Sequence, residues 1–184
     1  LLRVARPLTS GTGAWVVLMD RRGIGAALTA QLRRQGQECA EVFAGEQFQR
    51  RQPGVYEVDP ESVGSFQALF DDLGSDVPCS NIVHLWSLDA AAADETTVET
   101  LGMAERLGSL SALHLVQAVL SKRGRDNPEL WFVTCGAQRV GEETAPLSVA
   151  QSPLWGFAPL RFRPDISSPA KDTLGPTRCP SASV

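Results

Sequence analysis

Residues 14–20, AWVVLMD, form a short and almost uniformly apolar run, and comparable runs recur at 38–45, 54–60, 81–89 and 129–136. Runs of this length and uniformity suit strands that are buried on both faces. The segments between them change period. Residues 25–36 place Ala27, Leu28 and Leu32 on one helical face and stop at Gly36. Residues 61–74 repeat apolar side chains at Val63, Phe66, Leu69, Phe70 and Leu73, then stop at Gly74. The stretch 97–120 carries Leu101, Leu107, Leu110, Leu113, Val116 and Leu120 at helical spacing. Strands alternating with helices of these lengths predict an α/β fold: a parallel sheet of five or six strands, helices on both faces, wound right-handed. The expected core includes Trp15, Val17, Val42, Ile82, Val83, Leu85, Trp131 and Val133.

The periodicity fails after Phe157. Residues 158–184 are rich in Pro, Ser and Thr, a composition that buries too little apolar surface to offset ordering entropy, and they read as an irregular tail. Residues 1–13 read as a linker from a preceding region, and 14–157 as the folded unit. The absence of an initiator Met and of a signal-peptide pattern reads as a piece of a longer chain.

Composition narrows the class of partner. The net charge of -4 lacks the clustered basic face that nucleic acid requires, and no apolar run reaches the length of a membrane span. Four widely spaced cysteines form no CxxC pair. Cys39 and Cys135 fall inside apolar runs and read as buried thiols, which fits a reducing cytoplasm.

The stretch WVVLMDRRGIGAAL raises the question of a nucleotide. A dinucleotide turn uses glycines for a tight bend, for close approach of backbone to pyrophosphate, and for packing helix on strand. The short-chain reductase form is Thr-Gly-x-x-x-Gly-Ile-Gly. Gly23, Ile24 and Gly25 match its end, whereas Leu18 and Met19 stand on the Thr-Gly pair and Asp20 places a carboxylate near the phosphate path. The turn is therefore degenerate at Gly23 and Gly25, and no cofactor is expected to bind there. Glu46 stands where a ribose-binding acid could lie.

Reductase chemistry is missing as well. Such an enzyme protonates its substrate with a Tyr whose pKa is lowered by a Lys four residues on. The single tyrosine is Tyr56, four residues before Pro60, and the region after the fifth apolar run, PLSVAQSPLW, has neither residue. His84 and His114 read as core histidines without metal-ligand spacing, and Ser87 lacks a nucleophile elbow. No catalytic residue and no metal site is expected.

The stretches WVVLMDRRGIGAALTAQLRRQG, VFAGEQF, YEVDPES, NIVHLWSLD, LWFVTCGAQRV and VAQSPLWGF, spanning 15–157, resemble the structural, N-terminal subdomain of the ketoreductase region of modular type I polyketide synthases. IVHLWSLD and AQSPLWG are its specific signals. The resemblance implies a truncated Rossmann-like half, of short-chain reductase type, that does no chemistry. It would pack in cis on a catalytic subdomain that binds NADPH and reduces the β-keto group of carrier-bound polyketide intermediates. It also implies acyl carrier protein and other synthase domains in the parent, and Trp155 and Phe157 as the subdomain contact.

Beyond PLWGF the family continues with a segment like GRVIALEHPE, which APLRFRPDISSP does not match. Truncation, a frame shift and fusion to an unrelated tail all give this pattern. Two other readings stay open: a divergent stand-alone NAD(P)-dependent reductase, which requires cofactor at Gly23 and Gly25, and an independent interaction module with an exposed apolar patch.

Overall fold

The computed structural model describes residues 13–74, 79–122, 128–138 and 147–157. The proposed tail and nearly all of the proposed linker lie outside them. Six strands form one sheet: β1 (Ala14–Leu18), β2 (Cys39–Ala44), β3 (Gln49–Gln52), β4 (Val55–Val58), β5 (Cys79–His84) and β6 (Glu129–Phe132). Their order is β3-β4-β2-β1-β5-β6, parallel except where β3 runs antiparallel to β4. Helices α1 (Ile24–Arg34), α2 (Val63–Leu73), α3 (Val98–Glu105) and α4 (Ser111–Ser121) connect them.

Alternation of side chains along the strands sorts two cores. Val16, Leu18, Val42, Val58 and Ile82 face Phe66 and Leu69 of α2 and Leu115 and Ala118 of α4. Trp15, Val17 and Val83 face the other way, toward Leu32 of α1. The sheet thus carries helices on both faces, as the alternation of periods predicts.

Four local departures have physical reasons. Strand β3 reads QRRQ and is exposed throughout, so no apolar period announces it. Its hairpin turns at Gly54, whose φ of 74° favours glycine, and Arg51 bonds Glu57 across the pair. Charges on this edge strand also discourage pairing with other chains.

Residues 81–89 do not form one strand. The chain leaves the sheet after His84 and makes a 3-10 turn over Trp86–Asp89. That turn drives Trp86 into the core against Phe66, with ring centroids 6.1 Å apart.

The expected helix over 97–120 contains a π-helical turn, Arg106–Leu110, between α3 and α4. The Ser111 hydroxyl lies 2.7 Å from the carbonyl of Leu107 and 3.0 Å from that of Gly108, so it can serve carbonyls that this wide turn leaves underused.

Strand β6 ends at Phe132 rather than Gly136, and Trp131 is 45% exposed instead of buried. It sits on the edge strand, on the face covered by α1, and α1 lies over β1 and β2 rather than β6. Val133 is half-buried, while the other six expected core residues are buried.

Candidate functional site: the turn between β1 and α1

Open α/β sheets bind ligands beyond the carboxyl ends of their strands, where the strand order reverses. That point lies between β1 and β5 here, because β2 and β4 extend to one side and β5 and β6 to the other. The turn 19–25 crosses it.

Gly23 has a φ of 89° and nothing within 4 Å of where a Cβ would stand, so its requirement is conformational. Gly25 is steric. A Cβ there would lie 3.0 Å from Met19 Sδ, 3.2 Å from Asp20 Oδ1 and 3.2 Å from Leu85 Cδ1. Met19 itself is buried in the core beneath α1. Both glycines thus have structural reasons to be present that involve no ligand. We expect Gly23→Ala and Gly25→Ala each to cost about 1–2 kcal/mol, from left-handed strain in one and overpacking in the other. Shifted urea midpoints with unchanged slopes are the expected readout.

Asp20 decides the electrostatics. Its side chain is 6% exposed and turns back onto the start of α1. Oδ1 accepts from the Gly25 N–H at 2.6 Å, and Oδ2 accepts from Arg22 N–H at 3.0 Å and Ile24 N–H at 3.1 Å. These are the main-chain donors that a helix N-terminus offers to a phosphate.

The loop is also stitched to the segment after β5. Arg21 N–H donates to Asp89 Oδ1 at 2.8 Å, and Arg22 Nη2 donates to the Ala90 carbonyl at 3.0 Å. Burial pushes the Asp89 carboxyl above its usual value, opposed by the Arg21 N–H bond. A pyrophosphate does not fit this turn as built, since it meets a carboxylate where it needs donors.

The other candidate residues are not gathered at this point. Tyr56 is buried on β4, stacked on Phe48 at 6.3 Å, with Arg50 over its ring. Burial, followed by a hydrogen bond to Asp72, raises its pKa, opposite to the shift a reductase acid needs. Glu46 lies beyond the end of β2 and is exposed. Ser87 donates to the Val133 carbonyl at 2.6 Å.

His84 Nε2 and Ser111 Oγ are 2.8 Å apart in the core, and His114 Nδ1 lies 3.1 Å from the Pro60 carbonyl. Among the described residues no group of three His, Cys, Asp or Glu side chains could hold a metal, and no helix is long and apolar enough to cross a membrane. Cys39 is a half-buried thiol whose pKa burial raises, whereas Cys135 is disulfide-bonded, contrary to the expectation of a thiol.

A 3-10 segment, Val149–Phe157, stands in the region where a reductase would carry its Tyr and Lys. Gln151 is buried there and accepts from the Cys135 N–H at 2.8 Å. Leu154 is buried, and its Cδ1 lies near Gly108 of the π turn. Trp155 is half-buried with its indole nitrogen enclosed, and the Phe157 side chain lies outside the described residues. Sequence reasoning found Asp20 but not its role, since spacing shows a carboxylate near the turn and not which donors it takes.

This is a Rossmann-like fold of short-chain reductase type. The chain belongs to the family described as beta-ketoacyl synthase-like, N-terminal, which matches residues 14–153. A comparison with curated proteins gave no match. Among solved structures, it is similar to a multidomain structure with adenylation, ketoreductase and pseudo Asub domains from a keto acid-selecting NRPS module. That match has 26% identity and a TM-score of 0.67, over 79% of this chain and 12% of the other. An N-terminal ketoreductase from the macrolactin assembly line matches at 17% identity and TM-score 0.55, over 67% of this chain and 25% of that one. A short-chain dehydrogenase/reductase from Vibrio parahaemolyticus shares the fold at 17% identity and TM-score 0.55, over 78% of this chain and 72% of the other. The chain therefore spans a small part of the first two proteins.

Proposed function

We propose that this chain is the non-catalytic structural half of a ketoreductase region in a polyketide synthase or a related modular synthase. It packs in cis on a catalytic half that binds NADPH and reduces a carrier-bound β-keto intermediate. The observation that carries the reading is the Asp20 carboxylate on the main-chain donors of α1, at the point where a reductase would receive its cofactor. The absence of a Tyr-x-x-x-Lys pair from the sequence agrees with it.

A half of this kind needs a surface for its partner. Helices α3 and α4 expose Val98 and Leu101 one turn apart, and Leu113 and Leu120 two turns apart. Trp131 adds an exposed aromatic ring on the sheet edge. Trp155 and Phe157, in the 3-10 segment that follows, are the proposed anchors, and their contact rests on the family resemblance.

The test supplies a catalytic ketoreductase half in trans. Wild type is expected to associate and to raise NADPH-dependent reduction, and Trp155→Ala to weaken association by about 2 kcal/mol. Equal association of the two removes Trp155 from the contact. No association of wild type, or NADPH binding to this chain alone with a Kd at or below about 10 μM, overturns the structural role.

A further inference from the structure

In an unbroken α-helix the Ser111 N–H would donate to the Leu107 carbonyl one turn back. Here it donates instead to the carbonyl of Arg106, which makes the wide turn, and to that of Gly108. The Ser111 hydroxyl lies 2.7 Å from the Leu107 carbonyl, so the side chain takes the place of its own N–H. A hydroxyl has a single proton to give. With that proton on Leu107, the 2.8 Å contact to His84 Nε2 is a bond donated by the imidazole. The ring then keeps its proton on Nε2 and leaves Nδ1 bare, and Nδ1 has no hydrogen-bond partner among the described residues. His84 ends β5 and Ser111 begins α4, so this bond fastens the π turn to the sheet.

The extra residue in that turn sets the rotation of α3. Thr97 caps the helix through a reciprocal pair with Thr100, so α3 turns as a unit. As built, Ala104 packs with Ala90 and Ala150, Thr100 is half-buried and Glu105 is exposed. Taking one residue out of the turn would rotate α3 by about 100° relative to α4. Leu101 would then stand where Thr100 is, and Glu105 where Ala104 is. The first exchange buries apolar surface, whereas the second forces a carboxylate into a contact between alanines, and the second costs more. The π turn avoids that exchange and leaves Val98 and Leu101 facing out, 83% and 39% exposed. We propose that Ser111, anchored by His84, holds the π turn and thereby sets which face α3 presents, with Val98 and Leu101 outward. Ser111 is then a positioning residue for that apolar face. The inference concerns this chain alone, so it stands or falls apart from the structural role proposed above.

The experiment follows alkylation of Leu101→Cys in the full chain by iodoacetamide, read at that position by peptide mass spectrometry, beside thermal unfolding. Deleting Ser109 is expected to lower the melting temperature. Glu105→Ala should recover most of that loss in the deletion background and barely move the wild type, where Glu105 is exposed. With both changes, the thiol at position 101 should label at least about tenfold more slowly than in wild type, since a buried group reacts only on local opening. Ser111→Ala combined with Glu105→Ala, which loosens the turn without shortening it, should slow labelling in the same direction. Labelling as fast as wild type in either combined background overturns the proposal, as does a deletion that Glu105→Ala does not rescue. Should the deletion alone fail to fold, folding restored by Glu105→Ala supports the proposal and continued failure overturns it.

Discussion

Trp86→Ala should be the most damaging single truncation in the described core, costing about 3–5 kcal/mol by the loss of buried area and the cavity it leaves. Trp86 is 1% exposed, packs on Phe66 of α2 and lies edge-on to His84, so it ties the 3-10 turn after β5 to a helix on the same face. Its indole N–H has no hydrogen-bond partner among the described residues. An unpaired buried donor itself costs free energy, so part of the ring's value is already offset. Trp86→Phe keeps most of the volume and removes that donor, and it should cost less than about 1.5 kcal/mol. Urea midpoints for the two variants decide the matter. Equal losses would mean that the site is governed by something other than volume.

Acid should destabilise the fold through His84. The imidazole is fully buried, and desolvation lowers its pKa from 6.5 to about 4. It lies among Trp86, Phe132 and Ser111, which add no charge. The folded state therefore resists a proton that the unfolded chain takes up below pH 6.5. The neutral histidine contributes its full share above that value. The share is lost as pH falls from about 6.5 to about 4, to a total of about 3 kcal/mol. Carboxylates add their own acid slope, so the measurement compares wild type with His84→Phe. The Ser111 hydroxyl keeps the Leu107 carbonyl as its partner in that variant. Stability of the variant should fall less steeply between pH 6.5 and 4. Parallel slopes would show that His84 does not carry the transition.

The strands and helices that anchor the fold were legible in the sequence for a simple reason. β1, β2 and β4 are short apolar runs, and α1 and α2 show one buried face each, so period alone separates them. The glycines of the turn and the absence of a Tyr-Lys pair were equally legible, because both are statements about residue type. Strand β3 was not, since QRRQ carries no apolar period and is held by pairing with β4. The break at His84 was hidden because Leu85 and Trp86 continue the apolar pattern into a turn that buries them by another route. Trp131 misled in the opposite sense, as burial on β6 depends on what covers the sheet edge rather than on the residue.

Sequence by itself determined the layered α/β architecture and the lack of a Tyr-x-x-x-Lys pair. Both follow from the order of periods and the inventory of side chains, which a chain carries with it unfolded. Tertiary structure alone decided what fills the turn. An Asp at position 20 has the same spacing whether it faces solvent or caps a helix. Only the bend at Gly23 and the close seating of Gly25 bring its carboxylate onto three backbone donors, which makes an internal anion of a residue that spacing marks merely as acidic.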